Sequence, residues 1–501
     1  MTILAHRDYA QEQAFDADVV VVGTGAGGAV VGAELAEMGR DVLFLEEGGH
    51  HPTPSLNPFL TESIPRLYRD AGGTIIVGRP PIPYAEGRCV GGSTLVNGGM
   101  TWRPPERILA HWEKVTRQPD LGAASLDPLF ERVEERIHAK PQHPASIGDD
   151  SRLLERGSRE LGWRYEHNHR AQDKCVGSNQ CLTGCPTGAK QSTLLSYMPR
   201  ALSRGARCAT EVRAEALWIE GSRCVGVVGK AINPRTRQGD RSVRVRARAV
   251  VVCGGAVQTP YLLLRHRLGK KSKQLGRNFL CHPNAKVVGI YPYEIQAWQG
   301  VSQGGQIREF LDEGIVMAEN AVPPGTAAAQ IPYIGEEALE MMRDYNAMVM
   351  TGVLVEDSLS GRVKRGFDAP LARYDISAYD HARFLRGVRK LATLHFEMGA
   401  KQVILPFSNM HVANHVDDLE RIAKTQRSRS TIELFTVHVM GTCRMGSDPE
   451  FSVVNLSGEL WDLPGCYVAD ASLFPSAVGV NPQVTIMALA TRVAERIRLT
   501  N

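Results

Sequence analysis

No uninterrupted apolar run in the 501-residue sequence reaches the length that crosses a membrane, so we expect no transmembrane segment. The first 18 residues also lack the apolar core of a signal peptide, and Asp16 and Asp18 interrupt them. The sequence therefore predicts a cytoplasmic protein. Export together with a partner stays open as an alternative.

The charged side chains are not gathered into blocks of one sign. Lysine and arginine total 58, aspartate and glutamate total 54, and the formal net charge is only +4. No basic stripe with interleaved aromatic residues stands out, although such a stripe is typical of proteins that bind nucleic acid. We therefore expect a small-molecule substrate and no nucleic acid.

Cysteine is scarce, with 10 residues in the chain, and this excludes a disulfide-bonded scaffold. Cys175, Cys181 and Cys185 are nevertheless clustered in CVGSNQCLTGCP. Clustered thiols in a reducing compartment favour a metal site over disulfides. Three cysteines lack the fourth ligand of tetrahedral zinc or of a cubane, but they suit a [3Fe-4S] iron–sulfur cluster. A loop with free or paired thiols is the alternative, and spacing alone does not decide between the two.

A nucleotide-binding pattern lies near the N-terminus. Residues 19–22 predict a strand that is buried on both faces, and a helical period and a second strand follow. Between them, Gly23, Gly25 and Gly28 have the spacing that allows a tight turn, the approach of a pyrophosphate and close helix–sheet packing. Glu46 ends the second strand, where a carboxylate accepts hydrogen bonds from a ribose. The pattern predicts a dinucleotide, either FAD or NAD.

A glycine-dense loop, GRCVGGSTLVNGGMTWRPPERI, follows at residues 87–108. A loop of this length either wraps a ligand or forms a surface Ω-loop. Its segment GGSTLVNGG resembles the first motif of the glucose–methanol–choline family of flavin oxidoreductases. That resemblance implies that Ser93, Asn97 and Gly98 line FAD. Some members carry a histidine that bonds covalently to the flavin, but Val96 occupies that position here, so non-covalent FAD is implied.

Two segments near the C-terminus, TVHVMGTCRM at 436–445 and GVNPQ at 479–483, are similar to the last motifs of that family. The resemblance implies that His438 is the catalytic histidine and that Asn481 is its partner. It also implies further FAD contacts, which are Val212 through its backbone at the adenine, Asp470 near the flavin, and Pro482 and Gln483 at the start of the last helix.

These residue types suit alcohol oxidation. An alcohol does not ionise alone at neutral pH, whereas an imidazole titrates nearby, so His438 would accept the hydroxyl proton. Asn481 would donate a hydrogen bond to the developing alkoxide while the hydride passes to flavin N5. The N-terminus of the helix beginning at Pro482 would stabilise negative charge on the reduced flavin.

The resemblance implies an α/β fold, an α+β composite with a Rossmann-like FAD-binding domain and a discontinuous substrate domain on an antiparallel sheet. Alternating apolar runs in the middle of the chain also suggest that sheet. The predicted domains are an FAD-binding domain at 1–115, 195–283 and 436–501, a cysteine-containing insertion or cap at 116–194, and a substrate-binding domain at 284–435.

Our first functional hypothesis is an FAD-dependent dehydrogenase that acts on a primary alcohol or a sugar hydroxyl and uses an acceptor other than oxygen. The cysteine run resembles the cluster loop of sugar dehydrogenases in this family, which implies a cytochrome or quinone acceptor. Similar runs also occur in the long-chain alcohol oxidase branch. An oxidase that produces hydrogen peroxide and a non-redox lyase that retains FAD are the alternatives.

Overall fold

The computed structural model describes residues 3–269 and 271–499. Its largest sheet pairs strands from both ends of the chain. In spatial order it consists of β1 (Ile3–Leu4), β9 (Arg207–Ala209), β3 (Val42–Leu45), β2 (Glu12–Val22), β12 (Gly239–Val252), β11 (Arg223–Ile232) and β10 (Val212–Glu220), and β22 (Cys466–Val468) also pairs with β12.

The centre of this first sheet is parallel, because β2 pairs with β3 on one side and with β12 on the other. The apolar residues of β3 are buried, as expected for a strand covered on both faces. Three helices stack over the sheet: α1 (Gly28–Glu37) packs against α13 (Gln483–Arg496), and α13 packs against α5 (Ala123–Arg136). The C-terminal helix is therefore built into the N-terminal nucleotide-binding layer.

The second sheet is antiparallel throughout. In spatial order it consists of β21 (Val412–Ala413), β20 (Gln402–Ile404), β14 (Asn284–Ile290), β17 (Met348–Val355), β16 (Ile315–Glu319), β15 (Gly305–Ile307) and β7 (Tyr165–His167). Helix α11 (Ala378–Glu397) packs across one face of β14 and β17. The apolar side chains of the other face pack against α9 (Pro324–Ala328) and, near β16, against Val480 and Trp102.

Smaller elements complete the chain. The remaining helices are α2 (Leu60–Leu67), α3 (Ser93–Val96), α4 (Glu106–Thr116), α6 (Asp149–Glu160), α7 (Tyr197–Ser203), α8 (Gly255–Arg265), α10 (Gly335–Arg343) and α12 (Ile422–Thr425). The remaining strands form three small sheets: β4 (Thr74–Ile76) with β5 (Ile82–Tyr84), β6 (Ala139–Pro141) with β8 (His169–Ala171), and β13 (Arg277–Phe279) with β18 (Gly361–Arg365) and β19 (Pro370–Arg373).

The mixed α/β fold that the sequence predicted is confirmed, with a parallel-centred sheet and a separate antiparallel sheet. The domain boundaries stay a proposal. The 116–194 segment contributes to both layers, because α5 packs on α13 whereas β7 joins the second sheet. Across the residues with described positions, no helix is long and apolar enough to span a membrane.

Candidate active site

The turn between β2 and α1 shows why glycine occupies each of its three motif positions. A Cβ on Gly23, whose φ is +101°, would lie 2.5 Å from the Cys253 carbonyl oxygen, and a Cβ on Gly28 would lie 2.0 Å from the Gly23 carbonyl oxygen. A Cβ on Gly25 would touch only the Cα of Gly92, at an ordinary 3.9 Å. The protein itself therefore requires the first and last glycine, whereas the middle one leaves room for a ligand.

Glu46 lies immediately after β3, and its carboxylate is already bound by the neighbouring loops. It accepts hydrogen bonds from the Thr24 amide at 3.0 Å, the Thr24 hydroxyl at 2.6 Å and the Gly48 amide at 2.9 Å. Burial raises its pKa. Val212, at the start of β10, donates its amide to the Glu46 carbonyl oxygen at 2.8 Å, so a contact between Val212 and an adenine would use its carbonyl.

The 91–98 loop is held against the start of the last helix. The Asn97 side chain donates to the Gln483 amide oxygen and accepts from the Gly99 amide at 3.0 Å. A Cβ on Gly98 would lie 2.0 Å from Oε1 of Gln303, so a larger residue there would displace the end of that side chain. Ser93 begins α3 and accepts from the Gly87 amide at 3.0 Å.

The Lys190 side chain holds the 91–98 loop in place by hydrogen bonds to its carbonyl oxygens. The sequence did not predict this role. The Lys190 ammonium donates to the carbonyl oxygens of Leu95, Asn97 and Cys181, each at 2.7 Å. The side chain is buried, and burial lowers its pKa to about 8. A single lysine after a cysteine-rich run carries no periodic signal, so only the three-dimensional contacts identify it.

Asp470 lies just beyond β22, and its carboxylate forms hydrogen bonds with residues in the first turns of α8. Its carboxylate accepts from the Gly255 amide at 2.8 Å, the Thr259 hydroxyl at 2.5 Å and the Ser472 amide at 2.8 Å. The carboxylate is buried and its hydrogen bonds are made within the protein. Asp470 therefore fixes the turn between β12 and α8, near the proposed flavin end of the site.

His438 and Asn481 lie together, as the resemblance implied. The Asn481 side-chain nitrogen is 3.3 Å from Nε2 of His438. The Asn481 carbonyl oxygen accepts from Nε2 of Gln306, on β15, at 3.0 Å. Because Gln306 occupies the oxygen end of the amide, it directs the amide nitrogen towards the histidine. Gln306 was not predicted, since an isolated glutamine in a short strand has no sequence signature.

The histidine is held neutral. Burial lowers the pKa of His438 from 6.5 to about 4, so the imidazole is uncharged at neutral pH, and Nε2 presents its lone pair to the Asn481 amide nitrogen, which can only donate. A second buried histidine, His282, meets it edge to face, with ring centroids 5.7 Å apart. Nε2 of His282 accepts from the Gly479 amide at 3.1 Å and thereby supports the segment that leads to Asn481.

The last helix begins at Gln483 with Pro482 as its N-cap residue, one residue later than the sequence predicted. Asn481 thus precedes the cap, and its side chain is bonded to Gln306 and His438. The first turn of α13 points its amides towards the same region. The arrangement combines a neutral base, an oriented amide donor and a helix N-terminus.

Comparison with known proteins identifies the family. Profiles of the GMC oxidoreductase family match residues 64–284 and 358–490. An uncharacterized GMC-type oxidoreductase of Mycobacterium tuberculosis is 34% identical over 488 residues, which cover 96% of this chain and 75% of that protein. The chain belongs to the GMC oxidoreductase family. This confirms the resemblance that the motifs suggested.

Other relatives of this GMC protein carry specific names. A long-chain-alcohol oxidase of Arabidopsis thaliana is 26% identical over 96% of this chain and 67% of its own length. Paromamine 6'-oxidase of Streptomyces fradiae is 28% identical over 98% of this chain and 94% of its own length. The crystal structure of pyridoxine 4-oxidase from Mesorbium loti has the same fold, with a TM-score of 0.72 and 18% identity over 95% of this chain and 98% of that one.

GMC oxidoreductases use FAD, which confirms the predicted cofactor. The residues present fit it: the open position at Gly25 accommodates a pyrophosphate, and the Asn97–Gln483 pair lies where the loop meets the last helix. The glycines of the turn, Glu46, Ser93, Asn97, Gly98, Val212, Asp470, Pro482 and Gln483 stay proposed FAD contacts.

The structure of this GMC protein does not support the iron–sulfur cluster. Cys175, Cys181 and Cys185 line one cavity of only about 10 Å³, the space of a single water molecule. Cys181 Sγ instead accepts from the Arg170 guanidinium at 3.1 Å, and Cys185 Sγ accepts from the Lys190 amide at 3.3 Å. In the part of the chain with described positions, no three or more His, Cys, Asp or Glu side chains are arranged to hold a metal.

The Cys181 thiol lies beside two cations, Arg170 and Lys190. Burial alone would raise the pKa of Cys181, but Arg170 and Lys190 outweigh burial and hold that pKa below its ordinary value. The alternative that the sequence left open, a loop of cysteines without a metal, therefore agrees better with the observed contacts. None of the three forms a disulfide.

Substitution of Gly25 with Ala tests the proposed pyrophosphate position. We expect Gly25→Ala to fold, because its Cβ has only an ordinary contact, and to lose about 10-fold or more in FAD affinity because the methyl group faces the ligand. Flavin fluorescence titration measures the affinity, and circular dichroism measures the fold. Gly27→Ala is the matched control: its Cβ would lie 1.8 Å from the Ala469 carbonyl oxygen, so folding itself should fail. Full FAD affinity in Gly25→Ala would contradict the proposed position.

Proposed function

We propose that this protein oxidises an alcohol hydroxyl to the carbonyl, with His438 as the base that removes the hydroxyl proton. The observation that carries the proposal is the contact between the neutral His438 imidazole and the Asn481 amide nitrogen, 3.3 Å apart in a partly buried site. Bound FAD supplies a two-electron acceptor for the hydride from the alcohol carbon. The chain's own residues orient the alcohol and hold its proton.

The protonation state of His438 supports this role. A histidine with an ordinary pKa would be partly protonated near pH 6.5, but burial keeps His438 unprotonated down to about pH 4. Its Nε2 can then accept the hydroxyl proton as the C–H bond breaks. Base catalysis of this kind contributes about 10²–10⁴-fold to a rate.

Asn481 is suited to stabilise the oxygen that loses this proton. Its amide nitrogen lies beside the base, and Gln306 holds the carbonyl end of the amide in place. A hydrogen-bond donor fixed before the reaction stabilises a developing alkoxide without having to reorganise. A substrate hydroxyl beside the pair, within reach of both Nε2 of His438 and the Asn481 amide nitrogen, would therefore meet an acceptor and a donor together.

For the electron acceptor, our first candidate is a quinone or a cytochrome, as in a dehydrogenase. An oxidase that reduces oxygen to hydrogen peroxide is the second candidate, and the names of the long-chain-alcohol oxidase and paromamine 6'-oxidase relatives favour it. The same two names suggest a primary alcohol or a sugar hydroxyl as the substrate. A lyase on this scaffold is the third candidate, because a base beside a flavin does not by itself require redox chemistry.

Anaerobic addition of alcohols and sugars to the purified yellow protein separates these candidates. We expect a substrate to bleach the flavin because hydride transfer reduces it. Recovery of the colour with a quinone or dye but not with air indicates a dehydrogenase, and rapid recovery in air with hydrogen peroxide formation indicates an oxidase. If no hydroxyl compound bleaches the flavin, both redox proposals are wrong.

Replacement of His438 tests the base. We expect His438→Ala to slow flavin reduction by at least about 10²-fold while FAD stays bound. In the unsubstituted enzyme, kcat/KM should stay level as the pH falls through 6.5 and decline only near the lowered pKa of His438, about 4. His111→Ala, at an exposed position on α4, is the control and should have no effect. An unchanged reduction rate in His438→Ala would remove His438 from this role.

Replacement of Gln306 tests the orientation of Asn481. We expect Gln306→Leu to lower kcat by about 10-fold, with FAD bound normally, because the Asn481 amide can then rotate away from the substrate. The double variant with Asn481→Ala should be no slower than Asn481→Ala alone, since Gln306 would act only through that amide. Gln299→Leu, at an exposed position, is the control. Additive losses in the double variant would show that Gln306 acts independently of Asn481.

A further inference from the structure

The face of the second sheet that turns away from α11 carries a half-buried lysine, Lys286, whose ammonium is itself buried and has no hydrogen-bond partner. Nζ of Lys286, on β14, is inaccessible to solvent and forms no hydrogen bond with any residue of the described ranges. Nζ lies over the ring of Phe435, 4.9 Å from the ring centroid. Burial lowers the pKa of Lys286 to about 7. Buried charges in proteins are normally paired, so this one needs an explanation.

The alternation of side chains along β14 shows where Lys286 points. Ala285 and Val287 pack in the core with α11, whereas Val288 and Ile290 pack with Met348 and Met350 on the opposite face. Lys286 belongs to this opposite face because the side-chain period of a strand is two.

The same face of the sheet reaches the catalytic pair. Leu354 and Val316 on this face contact Val480, the residue before Asn481. Gln306, which binds Asn481, extends from β15 of the same sheet. Lys286 pairs with Gly352 on β17, two residues from Leu354, so the lysine lies on the face that covers the proposed site.

The backbone beside Lys286 leads directly to the base. Asn284 exchanges two backbone hydrogen bonds with Phe435, of 2.8 and 2.9 Å, and His438 follows three residues later. The side-chain oxygen of Asn284 is also buried without a hydrogen-bond partner. Asn284 and Lys286, which are neighbours on one face of β14, thus both carry buried polar atoms without hydrogen-bond partners. Asn284 is bonded to the segment that leads to His438.

No carboxylate on β14, β15, β16 or β17 forms an ion pair with Lys286. Across β14, β15, β16 and β17, the acidic residue is Glu319, which lies on the α11 face and accepts from the Ser151 hydroxyl at 2.7 Å. A second buried cation, Arg308, follows β15 and stacks on Trp102, with its Cζ 3.9 Å from the ring centroid. Nε of Arg308 lies 3.7 Å from the carboxylate of Glu166 on β7, so this second cation is paired at the edge of the sheet. The part of the face around Lys286, on β14 to β17, is apolar and carries no carboxylate.

We propose that Lys286 binds an anionic oxygen group of the substrate, a carboxylate or a phosphate, so that the substrate is a hydroxylated anion and not a plain alkanol. This rests on the proposed alcohol oxidation at His438. The residues proposed to contact FAD lie on the turns and helix of the first sheet or on the 91–98 loop, whereas Lys286 belongs to the second sheet, so a substrate group is the partner that fits its position.

Ligand binding to the FAD-containing enzyme tests the proposal without turnover. Hexanoate, hexyl phosphate, 1-hexanol and hexylamine are titrated, and the change in flavin absorbance gives each Kd. We expect hexanoate or hexyl phosphate to bind at least 10-fold more tightly than 1-hexanol and hexylamine, and Lys286→Met to lose that preference. Which of the two anions binds more tightly identifies the group. Lys230→Met, which removes an exposed lysine from the first sheet, is the matched control and should behave as the unsubstituted enzyme.

Thermal unfolding distinguishes a binding residue from a structural one. An unpaired buried cation destabilises the ligand-free protein, so Lys286→Met should melt at a higher temperature, whereas a lysine kept for its contact with Phe435 would make the variant melt lower. A lower melting temperature, equal anion affinity in Lys286→Met, or no binding of either anion to the unsubstituted enzyme would overturn the proposal. Loss of FAD affinity in Lys286→Met would show that the lysine serves the cofactor and would overturn it too.

Turnover separates this proposal from the proposed function. We expect 6-hydroxyhexanoate or 6-hydroxyhexyl phosphate to reduce the flavin with at least 10-fold higher kcat/KM than 1-hexanol, and Lys286→Met to equalise them. Anion binding through Lys286 with no flavin reduction by any alcohol would refute the function and keep the site. Flavin reduction by alcohols that is unaffected in Lys286→Met would keep the function and refute the site.

Discussion

The hydrogen bond between Gln306 and Asn481 joins the two halves of this structure at the point where the chemistry is proposed to occur. Asn481 precedes the helix that packs over the parallel-centred sheet, and Gln306 belongs to the antiparallel sheet. The amide of Asn481 has a defined direction only while both sheets keep their relative positions. Geometry at His438 therefore depends on a contact between parts of the chain that are 175 residues apart.

Sequence patterns predicted the features that depend on local constraints. The glycine turn could be recognised because the φ of +101° at Gly23 and the contact of Gly28 with the Gly23 carbonyl oxygen are constraints within a single strand–turn–helix unit. The second sheet was predicted as antiparallel from alternating apolar runs, and the fold class is confirmed. His438 and Asn481 could be singled out only through resemblance to a family, because an isolated histidine and asparagine have no physical signature, and their roles stay predictions.

The residues that sequence analysis missed are those defined by long-range pairing. Gln306 lies in a strand of three residues, too short for its period to be read, and its direction follows from pairing with β16 and β7. His282 has significance only because Gly479 donates to it and His438 packs on it. The prediction of an iron–sulfur cluster is not supported, for a related reason. The spacing of the cysteines shows only that three thiols are close in the sequence. It does not show that the side chains of Arg170 and Lys190 lie next to them in the folded chain.

The three carbonyl oxygens bound by Lys190 have a consequence for how long a cofactor stays. If the 91–98 loop encloses FAD as proposed, release of FAD requires the loop to move away from Lys190. That movement breaks the charge-assisted hydrogen bonds from Lys190 to the carbonyl oxygens of Leu95 and Asn97 in a buried environment. On that proposal, dissociation of the cofactor would be coupled to local unfolding, and its rate would depend on the stability of the loop as well as on the contacts of the flavin. A loop held in this way would help to retain the non-covalent FAD that Val96, in place of the flavin-linking histidine, implies.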